Sequence, residues 1–187
     1  MLFVAHQSHY KKRFKDTVRN CHETEEFVWN MATYDLREQV NETALETHDD
    51  EFEIAGLTKT ESKLVKPPRV KESPVQFECK VHSILRIPGR EGSLVGTSDI
   101  VIGRVVGIHI KGEAVTADGL IDVLKLKPIA RLGYWQYSAI ESVFDMKVPL
   151  MSDDVVGMAV LAGNQSKLQE NDRAQIEVKK DEGKEEK

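Results

Sequence analysis

The sequence predicts a mainly β fold with short helices, a barrel whose helices pack outside it. Three observations carry that expectation. Val75, Phe77, Cys79 and Val81 alternate with Gln76, Glu78, Lys80 and His82, the two-residue period of a half-buried strand. "SDIVIGRVVGIHI", residues 98–110, is apolar on both faces and predicts a strand covered on both sides. Helical periods, by contrast, are short and few.

In chain order, "LFVA" reads as a strand and "HQSHYKKRF" as a polar, basic loop. Asp16 or Thr17 then caps a short helix running to about Glu25, since either side chain can accept from unpaired amides there. "EFVWNMA" predicts a strand from Glu26 to Ala32, because its aromatic and β-branched residues fit a pleated surface. Thr33 or Asp35 caps a second helix with Leu36, Val40 and Ala44 on one side. "ETHDDEFE" is an acidic connection, and "IAGLT" closes a helical turn at Gly56. "LVKPPRVKESPV" carries three prolines and is expected to be extended and irregular. After the two long strands, "KGEAVTADG" makes a turn and short strand, and "LIDVLKLKPIARLG" a helical turn leading to Pro128. "YWQYSAIESVFDM" is either a strand or a short helix, and "DVVGMAVLAG" is apolar without a decisive period. One domain over residues 1–163 and a polar, disordered tail over 164–187 follow from this pattern. Met1 falls where an apolar strand is already under way, as though the chain begins inside a fold.

The totals exclude several classes. A net charge of −5 offers no basic surplus for nucleic acid. No apolar run approaches the roughly 20 residues of a membrane span, and "MLFVA" is too short for the core of a secretion signal. Cys21 and Cys79 stand far apart in sequence and form no metal-type or redox-type motif. They read as free thiols of a reducing, cytoplasmic compartment.

Candidate sites are few. Lys15, Asp16 and Thr17 lie at a helix start, where amides and the helix dipole suit a phosphate and Thr17 adds a hydroxyl. The same residues also make an ordinary N-terminal cap, with Asp16 set to repel an anion. His109 shares a strand face with Gly103 and Gly107, whose missing side chains leave room for a flat ligand; a surface histidine at a strand end is the plainer reading. His6 and His9 lack a third ligand and suggest no metal. Asn30 must find partners if buried, either by holding a loop or by presenting its amide to a polar ring. "RLGYWQY", residues 131–137, offers either an aromatic platform or a core edge or subunit contact. No dinucleotide fingerprint, Ser-His-Asp set or His-Glu-x-x-His motif is present.

A series of motifs in order, "KDTVRN", "EFVWN", "VNETA", "EFEIAGLT", "VKPPRVKESPVQFECKV", "IVIGRVVGIHI" and "DGLIDVLKLKPIARLG", resembles the flavin reductase-like family of FMN-binding split barrels, the flavoredoxin-type proteins included. The resemblance covers residues 1 to about 145. It implies an FMN-binding split β-barrel, incomplete at its N-terminus, and a homodimer with flavin near the interface. It further implies hydride transfer from NADH or NADPH to flavin and onward to free flavin, a monooxygenase or another acceptor. The family's Lys-Asp-Thr maps onto Lys15, Asp16 and Thr17 beside the flavin phosphate. Ser8 and Arg13 lie in the loop expected to approach the same phosphate, and His109 is expected near the ring. The sequence departs from the family in lacking its N-terminal segment, in Glu25 where glycine is usual, and in Tyr134 where many members have a second glycine. The alternative to the enzyme is a non-catalytic flavin-binding or dimeric interaction protein that has lost turnover through the shortened N-terminus.

Overall fold

Strand pairing brings the two long apolar stretches together. In chain order the computed structural model contains β1 (Leu2–His6), α1 (Asp16–Thr24), β2 (Glu26–Asn30), α2 (Arg37–Glu42) and α3 (Glu51–Ile54). These are followed by β3 (Lys59–Thr60), β4 (Arg69–Val70), β5 (Val75–Ile87), β6 (Ser98–Ile110), α4 (Val123–Leu126), β7 (Ile129–Arg131) and β8 (Tyr137–Ala139). The structure describes residues 1–6, 15–45, 47, 49–90, 96–144 and 146. The chain divides into two compact units, Met1–Ser142 and Val143–Lys187, and all named elements lie in the first. The expected boundary at residue 163 and the tail beyond it fall outside the described residues.

A four-stranded antiparallel sheet in the order β1-β6-β5-β2 forms the frame. The β5–β6 ladder shifts register between Glu78 and Cys79 and again between Val81 and Ser83. Such bulges bend a strand and increase its twist, which curls the sheet toward a barrel. Two small hairpins, β3–β4 and β7–β8, flank it. The second is tied back by a bridge between Thr33 and Pro128. That bridge diverts the chain after Asn30, so β2 stops two residues short of the expected end at Ala32.

The core is small and made largely by α1 and the three neighbouring strands β2, β5 and β6. Val18 and Cys21, three residues apart on α1, are buried, and Cys21 packs with Phe27, Cys79 and Val101. Both thiols are free and buried, and desolvation pushes the Cys21 thiol up to about 11. The room expected beside Gly103 and Gly107 is filled by the protein itself. A Cβ on Gly103 would lie 2.4 Å from Cε1 of Phe27, and one on Gly107 would lie 3.2 Å from Cδ1 of Leu64. The glycines admit neighbouring side chains rather than a flat ligand.

Two further expectations are corrected. The isoleucine face of β6 is not covered along its length: Ile108 is 59% exposed and Ile110 46%. Neither Asp16 nor Thr17 caps α1. Lys15 occupies the N-cap without a side-chain cap bond, because Asp16 already lies inside the first turn, where its Oδ1 meets Nη1 of Arg19 at 2.7 Å. Thr33 likewise precedes a 3₁₀ turn, Tyr34–Leu36, without a side-chain cap bond, and α2 follows.

The two glycine-to-side-chain departures have a common conformational consequence. Glu25, which ends α1, has φ 56°, and Tyr134, in the β7–β8 turn, has φ 59°. A Cβ crowds the following carbonyl in this left-handed region, whereas glycine adopts it freely. Glu25→Gly and Tyr134→Gly are each expected to raise stability by about 0.5–1 kcal/mol, after the larger unfolded-state entropy of glycine is subtracted. Urea unfolding midpoints of the two variants would check this, and a lower midpoint in both would contradict it.

Candidate functional site

The first turn of α1 gathers the Lys-Asp-Thr triplet. The amides of a helix's first turn have no intrahelical acceptor and point outward at the positive end of the dipole. Thr17 and Val18 belong to that turn, and the nine-residue helix behind them is anchored by the buried Val18 and Cys21. Asp16 is offset by Arg19, whose guanidinium it holds. Glu51 of α3 is near enough to sense both Asp16 and Lys15. Burial and the charges of Asp16 and Asp50 push its carboxyl above the ordinary range, against the opposing pull of Lys15.

Beside this helix end lies a cavity of about 420 Å³. Thr17, Asn20 and Thr24 line it from one face of α1, at the helical spacing of three and four residues. Phe52, Leu57 and Pro68 line it with apolar surface. The three-proline segment is held against β2 by Asn30, whose Oδ1 accepts from the Val70 amide at 3.0 Å. The asparagine therefore holds a loop, the first of its two expected roles. The segment is also less irregular than expected, since Arg69 and Val70 pair with Thr60 and Lys59.

His109 faces a different cavity, of about 380 Å³, with Arg69, Lys71, Gln76 and Lys111. Among the described residues, none lines both cavities. The structure thus keeps Lys15, Asp16 and Thr17 together and places His109 apart from them. Ser8 and Arg13 lie outside the described residues.

Behind His109 sits Glu78, a fully buried carboxylate. It accepts from the amides of Lys63 at 2.9 Å and Leu64 at 2.6 Å, and its Oε1 lies 2.5 Å from His109 Nε2. Nε of Arg69 stands 4.0 Å away. Burial alone would push the Glu78 carboxyl up, but the two amides and the imidazole outweigh it and hold the group below the ordinary range. Sequence reading took Glu78 for one of the solvent-facing residues of β5. No local signal marked it, because its register opposite Gly107, two residues before His109, is set by strand pairing across 29 residues of chain. Arg69 donates to Gln76 Oε1 at 2.9 Å and to the Glu61 carbonyl at 2.9 Å, which joins the β3–β4 hairpin to the same cluster.

The aromatic candidate, residues 131–137, also resolves into local contacts. Arg131 donates to the Tyr137 hydroxyl at 2.9 Å and to the Tyr134 carbonyl at 2.9 Å, clamping the turn, while Trp135 is 93% exposed. Among the described residues no group of His, Cys, Asp and Glu is suited to hold a metal, and no helix is long and apolar enough to cross a membrane.

A model of the flavin reductase like domain matches residues 8–136. The uncharacterised protein YwrF of Bacillus subtilis (strain 168) is 36% identical over 140 residues, which are 73% of this chain and 67% of that protein. The chain spans 65–67% of the length of three curated relatives and less of others. Among solved structures, nitrilotriacetate monooxygenase component B from Bacillus cereus superposes with a TM-score of 0.69 at 32% identity, over 78% of this chain and 70% of that one. Flavoredoxin of Desulfovibrio vulgaris (Miyazaki F) superposes with a TM-score of 0.59 at 20% identity, over 72% of this chain and 69% of that one, a likeness of fold.

Proposed function

We infer the activity from one premise: this chain belongs to the flavin reductase-like family and has its mainly β, split-barrel fold. We propose that it is an FMN-dependent oxidoreductase, taking hydride from NADH or NADPH and passing the electrons to an acceptor. The observation that carries the reading is the Lys15-Asp16-Thr17 triplet at the start of α1, with Thr17 lining the adjoining cavity.

The residues fit a phosphate at that helix end. Lys15 supplies charge, Thr17 a hydroxyl donor, and the first-turn amides further donors, while Arg19 neutralises the one carboxylate inside the turn. Arg13 and Ser8, which precede the helix in sequence, are proposed to add to the cradle. His109, in its separate cavity, is not part of it. Bound FMN supplies the redox chemistry, which explains why no nucleophile or general acid stands out in the chain. The protein's own contribution is to fix the phosphate and to orient what is attached to it.

Two observations bear on partners. The likeness to a protein named as component B of a monooxygenase favours a separate oxygenase component as the acceptor. The exposed Leu85 and Ile87 at the end of β5 favour a homodimer, since a second subunit would take them out of water.

The test is FMN titration of apo-protein, followed by fluorescence quenching, with NADH and NADPH oxidation assayed on the loaded protein. Thr17→Val and Lys15→Ala each remove a contact to a charged group, typically worth roughly 1.5–3 kcal/mol. Each is therefore expected to weaken FMN binding about tenfold or more with the fold intact. Unchanged affinity in both variants would make the triplet an ordinary helix start. Protein that binds FMN yet oxidises neither nucleotide would instead be a flavin carrier.

A further inference from the structure

We propose that the cavity bounded by Arg69, Lys71, His109 and Lys111 binds the anionic group of a small organic ligand, a phosphate or a carboxylate. The backbone places these groups firmly. Lys71 follows the β3–β4 hairpin, and its amide donates to the Thr58 carbonyl at 2.9 Å. Lys111 follows β6, and its amide donates to the Pro74 carbonyl at 2.9 Å. Its Nζ is held by the Glu72 carbonyl at 3.0 Å, so the ammonium is oriented without being neutralised there.

The charges do not cancel. Three permanent cations, Arg69, Lys71 and Lys111, face this region, and His109 adds to them when protonated. Two carboxylates oppose them. Glu78 is buried behind His109 and Arg69 and committed to two amides and the imidazole. Glu72 lies close enough to feel Lys111, but both its oxygens accept from the Thr58 amide at 3.1 Å. Among the described residues, Lys71 has no carboxylate partner. A local positive surplus on a chain of net charge −5 is the opposite of the background.

The lining also says what kind of anion fits. Ile108 and Ile110 share the cavity and are 59% and 46% exposed. They give apolar surface beside the cations, which suits an acid carrying an organic body. Among the described residues the cavity shares no lining with the one beside α1, so this assignment is tested independently of FMN binding.

The test uses the full chain and two probes, inorganic phosphate and benzoate, followed by NMR at the Gln76 side-chain amide and the His109 ring. At least one probe is expected to shift these signals saturably. Tighter binding of phosphate would identify a phosphorylated ligand, and tighter binding of benzoate a carboxylate. Lys71→Ala combined with Lys111→Ala is expected to weaken binding about tenfold or more. Lys71→Glu, a reversal at an exposed side chain, should weaken it as well, whereas Thr17→Val should leave it unchanged. The proposal is overturned if neither probe moves these signals, if only the signals of residues 16–18 respond, or if the lysine variants bind as the parent does.

Discussion

Glu78→Ala is expected to cost about 3–5 kcal/mol of stability, the range for breaking a buried charged network by removing one partner. The carboxylate is fully buried and is the acceptor for the Lys63 and Leu64 amides. Alanine would strand both donors, remove the hydrogen-bond partner of His109 and leave Arg69 without its counter-charge. Glu78→Gln should cost less, because it keeps an acceptor oxygen, and it should also alter the response to acid. The folded state holds this carboxyl below its ordinary range, so the unfolded chain takes up the proton more readily. Its stabilisation is therefore complete above the unfolded-state pKa and is lost as pH falls through the lowered folded-state value. Urea midpoints measured from neutral to acidic pH should show a shallower acid decline in Glu78→Gln than in the parent. Parallel declines would mean that other carboxylates govern acid unfolding.

Gly103→Ala is expected to be destabilising by about 1–3 kcal/mol through overpacking, toward the upper end. The added methyl would sit 2.4 Å from Cε1 and 2.5 Å from Cζ of Phe27, and 3.3 Å from the Cβ of Cys79. Phe27 is a 7% exposed member of the core, so its ring cannot swing aside without vacating the space between α1 and the sheet. Gly112→Ala, whose Cβ would meet no atom within 4 Å, is the control and should stay within about ±0.5 kcal/mol. Pairing Gly103→Ala with Phe27→Leu should recover part of the loss, since the two changes act on one contact. Equal midpoints for the Gly103 and Gly112 variants would show that the ring gives way without cost.

The strands were legible because their signal is local. Alternation at residues 75–81 marks the first half of β5, which runs on to Ile87, and the β-branched run at 98–110 coincides with β6. The helical turn before Pro128 is also where expected. Polarity on a strand face was a poorer guide. Gln76 and Glu78 were read as facing water, yet they are 4% and 0% exposed. Segment 60–70 folds over that face and supplies the amides and guanidinium that make burial tolerable. The reverse error occurs on β6, where Ile108 and Ile110 stand exposed. Period identifies the two faces of a strand, but what covers each face is a property of segments distant in the chain.

The candidate site divides along the same line. Lys15, Asp16 and Thr17 are consecutive, so the sequence alone determined that they share one helix start. That Asp16 would turn to Arg19 rather than cap the helix was a choice between two nearby partners, made by side-chain geometry. Asn30 and Val70 are 40 residues apart, and Glu78 and His109 are 31. Contacts at such separations exist only after the chain has met the loop-closure cost of bringing them together, and no local pattern encodes them. Composition, strand period and the ordered motifs determined the class of fold and the family. Tertiary structure alone decided that Phe27 and Leu64 occupy the space beside the glycines, and that His109 belongs to a cationic cavity separate from the helix start, because packing assigns each side chain its neighbours.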